Sequence, residues 1–202
     1  LSEVDVKDVL SNLRLVAPAA SDPVSVAEAK AYCRIDGSTE DTFVESLIKT
    51  AVRWIEDHPF CSRALVSQEY QLTLSRFPDA IVLPRPPLVS VSSVKYYDVN
   101  GDQQTLATDQ YQVASQSEPA RIVPAPGCTW PSTQERLEAV EVNYTAGYAN
   151  AASVPPGLKL AVMMLVNHWY RTREPVNIGT SVTPIALTVE ALLSQHWHGQ
   201  VT

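Results

Sequence analysis

The chain has 202 residues, 22 acidic against 15 basic, with a formal charge of −7. Apolar residues make up 45% of it and charged residues 18%, against roughly 25% charged in an average soluble domain. That balance excludes a disordered chain, which needs low hydrophobicity and high charge, and a protein that holds nucleic acid over its whole surface, which needs clustered Lys and Arg.

The first residues lack the basic stretch and apolar core of a secretory leader. Ser25 followed by Glu28 is a capping box, which predicts a short helix through about Cys33, stopped before Asp36 and Gly37. A second helix is expected from a cap at Ser38 or Thr39, with Glu40 and Asp41 in its first turn, where the dipole favours acids. Its apolar stripe is Val44, Leu47, Ile48, Ala51, Val52 and Ile55, and Pro59 ends it.

From Ala64 the period changes to 2: Val66, Gln68, Tyr70, Leu72 and Leu74 alternate with polar residues, the pattern of a half-buried strand. Short runs at 81–83 and 88–91 follow, punctuated by Pro84, Pro86 and Pro87. Runs at 94–97 and 103–106 flank Asn100-Gly101, the strongest short hairpin signal. Runs at 111–114 and 121–123 flank a polar loop, and Val140, Val142 and Tyr144 alternate on a last strand. Helix returns at Pro155 and Pro156, where the missing N–H costs nothing. It is apolar nearly all round, and so is expected to be central. A final helix from Thr183-Pro184 carries Leu187, Leu192 and Leu193.

The order is not the alternation of a doubly wound fold. It predicts an α+β protein: an N-terminal extension (1–22), a helical bundle (23–60 with 154–174), an inserted antiparallel β-module (61–153), and a linker with a C-terminal docking helix (175–202). Fifteen prolines against seven glycines mark the borders of these elements.

No motif for chemistry stands out. There is no nucleophile elbow, phosphate-cradling glycine loop or zinc-protease helix. Cys33, Cys61 and Cys128 lie far apart without a C-x-x-C spacing, which suits a reduced cytosolic origin. His196 and His198, with Glu190 nearby, have metal-like spacing, but a helix end resting on a partner is the better reading. His168 reads as a core histidine and Trp169 as core. Cys128 has no companion His, and Glu56-Asp57-His58 reads as a solvated helix cap. Trp197, on a helix too short to stand alone, either folds back or docks elsewhere.

Longer stretches carry a resemblance. They are residues 23–30, 33–36, 54–56, 63–66 and 83–91, then Ala120 to Pro124 with Trp130-Pro131, then Val142 to Tyr148. Val154 to Leu158, His168 to Tyr170, Arg173-Glu174 and Ala191 to Leu193 complete the series. In this order and spacing, over roughly 13–197, the chain resembles the head–tail connector (adaptor, head completion) proteins of tailed bacteriophages, prophages and gene-transfer particles.

The resemblance implies a structural virion protein of the neck, made in the host bacterial cytoplasm, with no catalysis, cofactor or metal. It implies a homo-oligomeric ring of roughly twelve subunits under the portal protein. Such a ring extends the channel for genomic double-stranded DNA, without sequence-specific binding, and offers a surface to the stopper or tail. Leu192, Leu193 and Trp197 are then portal-docking candidates. Glu40, Asp41 and Glu45 are channel-facing candidates, and Asn100 and Gly101 are candidates for the stopper- or tail-facing loop. A stopper or other minor virion protein is the alternative within the same class. A small cytosolic enzyme with a site around Cys128 or His196 and His198, and a sheet-edge binding module, are the alternatives outside it.

Overall fold

A computed structural model of the chain describes residues 12–172 and 185–196. The elements are β1 (Leu13–Ala17), α1 (Val26–Cys33), α2 (Asp41–Asp57), β2 (Gln68–Leu74), β3 (Ile81–Leu83), β4 (Leu88–Tyr97) and β5 (Gln103–Thr105). They continue with β6 (Tyr111–Ala114), β7 (Ala120–Pro124), β8 (Val140–Ala146), a 3-10 turn (Ala151–Ser153), α3 (Pro156–Arg171) and α4 (Ile185–Ser194). The fold is α+β, with helices and two antiparallel sheets in separate units. One unit combines the N-terminal strand with Ser67–Tyr148, and the other combines Ser21–Val66 with the chain after Tyr148.

In the helical unit, α1 starts on the expected capping box. The Ser25 hydroxyl accepts from the Glu28 N–H at 3.2 Å, and the Ser25 N–H donates to the Glu28 carboxylate at 2.7 Å. The helix ends at Arg34 in the left-handed conformation, φ +56°. The second helix begins later than expected: its cap is Glu40, not Ser38 or Thr39, and the Glu40 side chain makes no capping hydrogen bond. Instead, side chains from other helices hold this end. Lys30 donates to the Gly37 carbonyl and to Asp41, and the Tyr170 hydroxyl donates to Glu40. The predicted stripe faces inward, with Val44, Ile48, Ala51 and Ile55 buried. Helix α3 packs against α1, α2 and α4, and buries Leu158, Ala161, Val162, Leu165 and Val166. It is the centre of the bundle. Trp169 on it is half-buried, as is His168.

The same unit corrects the reading of Glu56. It is buried, not a solvated cap, and its carboxylate accepts the Leu65 N–H at 2.9 Å. The segment that follows folds inward, with Cys61, Ala64, Leu65 and Val66 all buried. Leu65 needs an acceptor there that water cannot supply.

In the β unit, five strands form an antiparallel sheet in the order β1-β2-β8-β4-β5, and three more pair as β3-β7-β6. Strands β2 and β8 alternate as their sequences require: Tyr70, Leu72, Val140, Val142, Tyr144 and Ala146 are buried. The Tyr144 hydroxyl donates to the Pro84 carbonyl at 2.9 Å, so this large buried ring leaves no polar atom unmatched. Burial pushes its pKa well up from the ordinary tyrosine value. Two features differ from the sequence reading. Residues 88–91 and 94–97 are one strand, because two register shifts between Leu88 and Ser93 absorb the break in alternation. Residues 13–17 form an edge strand on β2, with Arg14 donating to Gln71 at 2.8 Å.

Candidate interaction surfaces

The three acids assigned to a channel wall lie at the start of α2, and each has a partner in its own unit. Glu40 accepts from Tyr170, Asp41 pairs with Lys30, and Glu45 pairs with Lys49 at 2.6 Å. One turn further on, Arg53 pairs with Asp57 at 2.8 Å. Asp22 joins this cluster. Burial raises its pKa, the Lys49 ammonium opposes that rise, and the Glu45 carboxylate adds to it. Between the ion pairs runs a hydroxyl row: Ser46 donates to the Thr42 carbonyl at 2.9 Å, and Thr50 to the Ser46 carbonyl at 2.8 Å. Along this polar face Glu45 and Asp57 are matched by i,i+4 basic partners and Asp41 by Lys30 of α1, while Glu40 is held by a neutral hydroxyl. Arg63 is not part of it; it is buried and donates to the His196 carbonyl at 3.1 Å.

At the other end of α2, Lys49, Arg53, Trp54, His58 and Pro59 line an open groove. His58 lies against Trp54 and Phe60, with ring centroids at 4.5 and 5.4 Å, and its Nε2 is 3.9 Å from Glu190 of α4. These contacts hold α4 against the bundle. Of the portal-docking candidates, Leu193 is fully buried within the helical unit and Leu192 is half-buried. Leu193 therefore holds α4 to its own core. Trp197 lies outside the described residues, as does His198.

Asn100 and Gly101 form the tip of the β4–β5 hairpin. Asp98 organises it: its carboxylate accepts the N–H groups of Asn100 at 2.9 Å and Asp102 at 3.1 Å, and the Gln104 amide at 3.0 Å. The Gln104 bond is the largest cause of a lowered Asp98 pKa, with the backbone bonds adding to it. Gly101 has φ +88°, and a Cβ there would lie 3.3 Å from the Gln134 side chain.

Gln134 belongs to a long irregular segment, 125–139, that sequence reasoning passed over. Its lack of periodicity over such a length was the available signal. The segment is pinned along the hairpin. Trp130 stacks on Phe77, with centroids 4.7 Å apart and planes 8° apart, and Phe77 meets Tyr96 edge-on. Gln134 N–H donates to the Tyr97 carbonyl at 3.0 Å, and Tyr97 N–H to the Ala139 carbonyl at 2.9 Å. The Arg136 guanidinium lies 3.9 Å above the Tyr97 ring. Two apolar residues remain in solvent at this end, Val99 at 65% and Leu137 at 80% exposed.

Among the described residues no cluster of His, Cys, Asp and Glu could hold a metal. Cys33 and Cys61 are buried thiols and Cys128 is an exposed one. The molecule comprises a helical unit and a β unit, with exposed loops fixed in place by stacking and hydrogen bonds.

The family of head completion proteins matches residues 24–184, and the chain belongs to that family. Membership makes it a structural component of phage-like particles rather than an enzyme. Solved structures share its fold, among them three from gene transfer agent particles. A chain from the virion of a native gene transfer agent particle is 25% identical, with a TM-score of 0.76, over 94% of this chain and 97% of that one. A chain from the neck of the empty gene transfer agent particle, computed with C6 symmetry, is 23% identical with a TM-score of 0.76 over the same shares. One from the neck of the native particle, computed with C12 symmetry, is 24% identical with a TM-score of 0.72, again over 94% and 97%. No curated protein matches the chain.

Proposed function

We propose that this protein is the head–tail adaptor of its particle: twelve copies form a ring under the portal, extend the DNA channel, and carry the stopper or tail. The observation that carries this reading is the near-complete, end-to-end likeness to a chain of the gene transfer agent virion. In the ring, α2 lines the lumen with Glu40, Asp41 and Glu45. Asp41 and Glu45 engage Lys30 and Lys49, and Glu40 accepts from the Tyr170 hydroxyl, so this face offers passing DNA few free cations. DNA affinity grows with the number of phosphates neutralised, so such a wall lets DNA slide. Twelve copies at −7 each give the ring about −84 formal charges, in keeping with a conduit that does not hold its cargo. Leu192 and Trp197 reach the portal, and Asn100 and Gly101 lie on the side facing the stopper or tail.

Deleting the gene is the direct test. Heads then package DNA but lack tails, and supplying the chain in trans restores tailed particles. Normal tailed particles without the chain would refute the role.

A further inference from the structure

Val99 and Leu137 lie at the same end of the β unit, on two segments zipped together by the backbone bonds of Tyr97, Gln134 and Ala139. Leu137 is held out by an unusual local arrangement. Arg136, stacked on Tyr97, donates from Nε to the Leu137 carbonyl at 3.2 Å. The next residue, Glu138, has φ +55°, a conformation a non-glycine residue adopts at some cost. Most protein surfaces scatter single apolar residues, and these need no explanation. Here two of them occupy pinned, pre-ordered loops, one beside a strained backbone position, which lowers the ordering cost of binding.

The surroundings are acidic. Asp98, Asp102, Glu135 and Glu138 stand against Arg136 on the same two loops. Such a rim repels DNA and favours a partner surface rimmed by Lys and Arg. We propose that Val99 and Leu137 are the anchor by which the chain docks a different protein of the same particle, one presenting an apolar hollow rimmed by Lys and Arg. This proposal rests on the neck reading above and deepens the role of the Asn100–Gly101 loop: the turn residues shape the tip, and their neighbours make the contact.

The test uses whole particles whose only source of this protein is wild type, Val99→Asp/Leu137→Asp, Glu135→Lys/Glu138→Lys, or the control Val89→Asp, another half-exposed site in the β unit. All four are expected in particles at equal copy number. Both tip variants are expected to reduce the tailed fraction about tenfold or more, the scale of hot-spot losses, and the control leaves it unchanged. With a benzoylphenylalanine in place of Leu137, irradiation is expected to join the chain to another particle protein, at a segment containing Lys or Arg. Normal tail attachment in both tip variants, or cross-links to a second copy of this chain, would overturn the proposal while leaving the neck reading intact. Absence of the wild-type chain from particles would overturn the neck reading and this proposal together.

Discussion

Glu56 shows how far a charged side chain can be drawn into a core by its neighbours. At 3% exposure its carboxylate serves the Leu65 N–H, in a segment where Cys61, Ala64 and Leu65 are themselves buried. Replacing it with Ala orphans that N–H, which costs about 1–3 kcal/mol for a buried donor. Glu56→Ala is therefore expected to lower the urea unfolding midpoint by that equivalent. Glu56→Gln, which keeps an acceptor oxygen, should lose less. An Ala variant as stable as wild type would contradict the assignment. Leu193 teaches the complementary lesson: an apolar residue on a terminal helix reads as a docking anchor, yet the bundle buries it completely. Periodicity says that a side chain seeks an apolar surface, but not whose.

At the scale of elements, the β4–β5 hairpin joins local turn chemistry to a distant loop. Gly101 combines φ +88° with a Gln134 side chain 3.3 Å from the place of a Cβ. Gly101→Ala is expected to destabilise the β unit by about 1–2 kcal/mol, through the left-handed backbone cost and the crowding. Thermal unfolding of the variant reads this loss, and an unchanged midpoint would show the turn to be relaxed. The Asn100-Gly101 turn was legible because its signal is contained in two residues. So were the α1 capping box, the α2 stripe and the alternation of β2 and β8, each a pattern within one segment. What escaped depends on contacts far along the chain. Strand β1 is an edge strand whose sequence hardly alternates, and only its pairing with β2 defines it. The start of α2 is set by Lys30 and Tyr170, from other helices. The 125–139 segment is ordered by Phe77 and Tyr97, so its exposed Leu137 could be recognised as a fixed feature only once the fold was known.

For the whole molecule, low charge and an acidic balance take on a physical meaning in the proposed ring. In that proposal the 18% charged residues suit a subunit flanked by neighbours, and the −7 charge suits a conduit that does not hold DNA. The ion pairs of Asp41 and Glu45 refine that proposal: two of the three acids assigned to the wall are neutralised locally, and Glu40 is held by the neutral Tyr170 hydroxyl. Head completion family membership fixes the class of work, and the ring is the specific claim built on it. Electron microscopy of the particle's neck, reconstructed without imposed symmetry and fitted with this chain, tests the claim most directly. Twelve copies are expected at one level beneath the portal, with α2 toward the lumen. A neck whose ring at that level is built from a different protein would contradict it.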